Sequence, residues 1–238
     1  MRECDKIIHN LESFNNINEI LDYLRKEIEK SNNGLLLKYI LASYLESLGQ
    51  IEEAINIYKE IINKYEKALI ARLRLAEIYR HRGEYKEAIE LYKELIEKTP
   101  NCIYSYYGLS SICYHTGNLD RALEYINKCL EIYPNFLAAR ILKGKILLYL
   151  GKLSAAIVEF HEALKQNPHE CEALYHLGLI HLKLKEYDEA LEKFEMILNR
   201  TPYHIGALFG KALVLEKKGL VAEALEIYNK ALNRYIEK

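Results

Sequence analysis

The four prolines of this 238-residue chain stand on one comb: Pro100, Pro134, Pro168 and Pro202, each thirty-four residues after the last. Four more combs share that period. Alanine recurs at Ala54, Ala88, Ala122, Ala156, Ala190 and Ala224. Glycine recurs at Gly49, Gly83, Gly117, Gly151 and Gly219, with Lys185 in the fifth place. Small residues recur at Ala42, Ala76, Ser110, Gly144, Gly178 and Ala212, and bulky ones at Tyr58, Tyr92, Ile126, Phe160, Phe194 and Tyr228. A fixed period of roughly 20–50 residues means one small unit stacked on copies of itself, because no single unit buries its apolar face alone.

Each comb has a physical reading. Glycine between two helical stretches supplies the positive φ of a helix C-cap. Proline closes the second helix and starts the link onward. The small residue lies where the two helices of a pair approach closely, and the bulky one plugs the space between them. The unit is therefore a helix, a tight turn and a second helix. With only 11 glycines and 4 prolines, the chain has too few breakers for a β-sandwich or barrel.

On these combs the chain resembles the tetratricopeptide repeat (TPR) family. The resemblance covers residues 35–238 as six units starting at Leu35, Leu69, Ile103, Leu137, Cys171 and Ile205. The family's small residue at position 8, glycine near 15, alanine at 20, aromatic at 24 and proline at 32 are mostly present. Position 4, often tryptophan in the family, is Lys38, Arg72, Tyr106, Arg140, Leu174 and Leu208, and position 32 is Glu66 in the first unit and Ile236 in the last. The fold implied is all-α: a right-handed α-solenoid of tandem antiparallel helix pairs in one continuous array (35–68, 69–102, 103–136, 137–170, 171–204, 205–238). Residues 1–34 keep the register without the signature. Ile7, Ile8 and Leu11 mark one apolar face, and Ile17, Ile20, Leu21, Leu24 and Ile28 a second, with Asn15-Asn16 as the turn and Ser31-Asn32-Asn33-Gly34 as the link. We read them as a degenerate capping pair.

Composition and motifs exclude several classes. The net charge of −1 lacks the basic excess of a nucleic-acid binder. No apolar run reaches the ~20 residues of a membrane helix, and the first residues do not form a secretory core. Five widely spaced cysteines (Cys4, Cys102, Cys113, Cys129, Cys171) fit a reducing cytoplasm better than a disulfide framework. No metal site, cofactor or enzymatic activity is expected. His176 and His181, five apart, diverge by ~140° on a helix. Cys113 and Cys129 fall in packing slots, and His161 and His169 flank a helix end. The Gly206-to-Gly210 spacing lies in no membrane-length apolar span. No phosphate loop or nucleophile elbow occurs.

The first helix of each unit projects positions 4, 7, 8 and 11 to one side and 2, 5, 9, 12 and 13 to the other. In the family the second face lines the concave groove that holds a peptide or helix. Here it is not uniformly polar. It carries Tyr104, Tyr107, Tyr114 and His115, then Ile141, Lys145, Leu148 and Tyr149, then Tyr175, Leu179, Leu182 and Lys183, then Phe209 and Leu213. Contiguous exposed apolar surface marks interaction sites, and tyrosine suits them. The sequence thus points to a non-enzymatic scaffold docking an apolar or aromatic segment of another protein. His81, His115, Lys145, Lys183 and Lys217 form a basic edge that selects acidic flanks. The family's clamp for a partner's C-terminal carboxylates is not expected, because no three consecutive units carry its Lys/Asn/Arg set. Tyr39 and Ser43, then Arg74, then Tyr104 and Gly108 illustrate the mismatch. The alternative is a self-assembly module: with no helix covering the last one, Leu225, Leu232 and Ile236 are expected to be partly exposed and to support a homodimer.

Overall fold

The computed structural model describes Phe14, residues 16–31 and residues 34–236, with side chains as far as Leu232. Among the described residues it contains thirteen helices and no strand. They are α1 (Ile17–Lys30), α2 (Leu35–Ser47), α3 (Ile51–Lys64), α4 (Leu69–Arg82), α5 (Tyr85–Lys98), α6 (Ile103–His115), α7 (Leu119–Ile132), α8 (Leu137–Tyr149), α9 (Leu153–Gln166), α10 (Cys171–Leu184), α11 (Tyr187–Arg200), α12 (Ile205–Lys217) and α13 (Val221–Ile236). The apolar face expected around Ile7, Ile8 and Leu11 lies outside the described residues, as do Cys4, Asn15, Asn32 and Asn33. Asn16 caps α1, its side chain accepting the N–H of Asn18 at 2.9 Å.

The chain divides into two compact units, residues 1–108 and 109–238, with the boundary inside α6. In the first unit α1 packs on α2, α2 pairs with α3, and α4 pairs with α5. In the second, α8 pairs with α9, α10 with α11 and α12 with α13. Turns of two or three residues make the helices of a pair antiparallel.

The turn works as the glycine comb requires. After α4, Gly83 adopts φ 78°, its N–H bonds to Arg80 O at 3.2 Å, and the Glu84 N–H bonds to Tyr79 O at 2.9 Å. Lys185 takes the same left-handed conformation, φ 65° and ψ 21°, without glycine's freedom.

The small and bulky combs interlock. Tyr58, Tyr92, Phe160 and Phe194 are almost wholly buried. A Cβ on Gly144 would come within 2.6 Å of the Phe160 ring, and one on Gly178 within 2.7 Å of Phe194. Buried Ser110 solves the same contact differently, donating to the Ala122 carbonyl at 2.7 Å. A further partner was not read from the sequence. The residue at position 6 of the next pair closes over the same ring. A Cβ on Gly108 would meet Tyr92 at 2.2 Å, one on Gly210 would meet Phe194 at 2.4 Å, and His176 stacks on Phe160.

At position 4, Arg72 and Arg140 stand where the family often has tryptophan, and they fasten the links. Arg72 Nη1 donates to Glu66 O at 2.7 Å, and Arg140 Nε donates to Pro134 O at 3.0 Å. Arg140 and Lys143 also hold Glu159, which is buried, at 3.0 and 2.8 Å.

Candidate protein-docking face

In the second unit the first helices of successive pairs touch one another: α8 meets α10, and α10 meets α12. Their faces carry one row of side chains. At its start the Tyr114 ring meets Tyr149 edge-on, centroids 5.4 Å apart and planes at 78°. The Lys145 ammonium stands 5.5 Å from the Tyr114 centroid and 2.7 Å from Oε1 of Glu172. Burial, then Tyr149 and the Glu172 charge, push the Tyr114 phenol up to about 12. His115 lies 5.3 Å from Tyr114, ring to ring. Further along, Tyr175 packs against Phe194 and His204, each at 6.2 Å, and Phe209 against Tyr228 at 5.6 Å.

The candidates differ in how openly they stand. Tyr149 is 69% exposed and Phe209 40%. His115 and Lys183 are both exposed, whereas Tyr114, Lys145, Leu148 and Leu213 are half-buried. Tyr175, Leu179 and Leu182 are also half-buried, packed on the core cluster around Leu174, Phe194, Ala207 and Val214. Ile141 does not stand on the open face. It is buried in the cluster that joins Ala156 and Phe160 to Ala173, Leu177 and Ile180, because α10 closes over it. Nor is Lys145 a free cation of a basic edge: Glu172 neutralises it. Glu172 shares the face positions in the sequence, but only the stacking of α10 on α8 brings it to Lys145.

Tyr104 and Tyr107 belong to the first unit, Tyr104 exposed and Tyr107 half-buried. The face of that unit is charged. A cleft of about 410 Å³ is lined by Glu46, Ile51, Arg74, Glu77, Ile78, His81 and Arg82. Arg74 bridges it, bound to Glu46 at 2.5 Å and Glu77 at 3.1 Å. Burial, with the Arg80 charge behind it, lowers the pKa of His81.

Among the described residues, no three His, Cys, Asp or Glu side chains converge as a metal site. Cys102, Cys113, Cys129 and Cys171 are free thiols. No helix among the described residues is long and apolar enough to cross a membrane.

The fold and this face together define a protein of tandem helix-pair repeats. Three stretches, residues 37–68, 67–135 and 141–205, match the tetratricopeptide repeat family. The chain belongs to that family. No curated protein matches it closely enough to count as a relative. Among solved structures, the MamA protein is 25% identical with a TM-score of 0.62, over 73% of this chain and 95% of MamA. YrrB, described as a TPR protein with an unusual peptide-binding site, is 23% identical with a TM-score of 0.59, over 79% of this chain and 97% of its own. TTC0263, a thermophilic TPR protein of Thermus thermophilus, is 21% identical with a TM-score of 0.61, over 76% of this chain and 98% of its own. The last two likenesses concern the fold alone.

Proposed function

We propose that the chain is a non-enzymatic scaffold whose concave face docks a peptide segment or helix of a partner protein, in the cytoplasm. The division into a capping pair at 1–34 and six repeats from Leu35 onward is part of this reading. One observation carries it: Tyr149 and Phe209 stand exposed on a row otherwise built of half-buried Tyr114, Leu148, Tyr175, Leu179, Leu182 and Leu213. Such a face costs free energy in water unless something covers it. Tyrosine serves it well, having a broad apolar face, a polar tip and few rotors to freeze. Exposed Lys183 and Lys217 favour a carboxylate beside the docked segment. The peptide-binding site in YrrB's description supports the same use of the fold.

The test is partner capture by the full chain from native lysate, compared with Phe209→Glu and Leu179→Glu/Leu182→Glu variants. Loss of specific partners in both, with helical circular dichroism intact, is expected. Because Leu179 and Leu182 also touch the core, Phe209→Glu decides: undiminished capture by that variant removes the groove reading.

A second reading has its own support. On α13, Val221, Leu225 and Leu232 are all about half exposed on one helical stripe. This reading makes that stripe a contact between two copies of the chain; the Ile236 side chain lies outside the described residues. Light scattering at two concentrations tests it, a dimer that Leu232→Glu dissociates being the supporting result.

A further inference from the structure

The Tyr114 ring already carries a cation. Lys145 Nζ sits 5.5 Å from its centroid, and Glu172 Oε1 closes on the same ammonium at 2.7 Å. Tyr149 walls the ring edge-on. The aromatic face, the wall and the carboxylate come from α6, α8 and α10. A ring face is electron-rich and a carboxylate supplies the opposite charge, so together they attract a cation. Lys145 fills the place from within the chain.

The Lys145 side chain itself is 25% exposed, but the rim around it is open. The Glu172 side chain is 46% exposed and Tyr149 is 69% exposed, so the seat opens to water. An ammonium is a compact, strongly hydrated point charge on a flexible stem. A guanidinium lies flat on a ring and offers paired N–H donors to both carboxylate oxygens. Arginine is therefore the better occupant of the same groups.

We propose that Tyr114, Tyr149 and Glu172 form a seat for an arginine side chain of the docked partner, with Lys145 as its resident when no partner is bound. The incoming guanidinium stacks on Tyr114 and pairs with Glu172, while the Lys145 ammonium swings out to water. Lys145 is then a competitor of cations and not an anchor for carboxylates. The inference deepens the docking reading and rests on it for the identity of the occupant as a partner's side chain.

The experiment titrates the full chain with N-acetyl-arginine amide, N-acetyl-lysine amide and N-acetyl-glutamate amide. The readout is the ring-proton shifts of Tyr114 and Tyr149, with Tyr149→Phe to assign them. The arginine derivative is expected to move both rings more than the lysine derivative does, and the glutamate derivative neither. Lys145→Met should tighten arginine binding about 5-fold, and Glu172→Gln should weaken it by about as much. Preference for the lysine or glutamate derivative, or unchanged or weaker arginine binding in Lys145→Met, overturns the proposal. So does wild-type arginine binding in Glu172→Gln. Thermal melts establish that both variants fold. A single amino-acid derivative reports on the seat alone. Arginine binding kept while Phe209→Glu leaves partner capture undiminished sinks only the docking reading; the reverse pattern sinks only the seat.

Discussion

His176 lies flat on Phe160, ring centroids 5.3 Å apart and planes 12° from parallel. Phe160 is the plug between the helices of one pair, and His176 is the lid supplied by the next. The imidazole therefore sits at the seam between α9 and α10. Burial, then the Lys145 charge, lower its pKa below the ordinary histidine value of 6.5, with Glu172 opposing them.

That depressed value makes stability fall in acid. The unfolded chain takes up the proton near pH 6.5, whereas the folded chain resists it. The contribution is fully present above pH 6.5, is lost as the pH drops below it, and levels off beneath the folded value. Burial pushes His81 and His161 in the same direction, so the slope is shared. Replacing His176 with Phe keeps the stack and removes one titration. The fall in Tm between about pH 7.5 and about pH 5 should be shallower in that variant; an unchanged slope refutes the assignment.

Ala156 is fully buried between α8, α9 and α10. Ala156→Leu should cost about 1–3 kcal/mol by overpacking. Lys152→Ala, at an exposed position four residues earlier, should change stability by less than about 0.5 kcal/mol. Urea denaturation of the two variants distinguishes them, and similar midpoints would contradict the register.

Lys185 holds a left-handed conformation that five glycines hold elsewhere. Lys185→Gly should stabilise the chain by about 0.5–1 kcal/mol, the relief of the side-chain clash being partly offset by a freer unfolded state. Gly83→Ala should destabilise it by about 1 kcal/mol. Opposite signs in urea midpoints are the expected result.

Glu159 neutralises Arg140 and Lys143 at the seam between α8 and α9. Glu159→Leu strands two cations, and should cost about 2–3 kcal/mol, less than a fully buried pair because both bases reach water. Adding Arg140→Met should recover part of that loss. A double-mutant cycle measures the coupling, and additive losses would show that the pair does not interact.

Much of the fold is legible in the residues one unit at a time. Glycine at the turn, proline after the second helix, and small against bulky inside the pair are all local rules, each repeated often enough to stand out. The aromatic character of the candidate face is legible too, because helical periodicity places Tyr114, Tyr149 and Phe209 opposite the packing positions. The order of the chain thus determined the helix pair, its turn and its internal plug.

Only the tertiary structure decided what one pair does to the next. It buried Ile141 under α10, laid His176 on Phe160, and brought Glu172 to Lys145, 27 residues earlier in the chain. Those contacts depend on how far each pair turns and slides over its neighbour. A repeating pattern records that a neighbour exists; the angle at which it docks arises from the summed packing of many side chains and is carried by no single one.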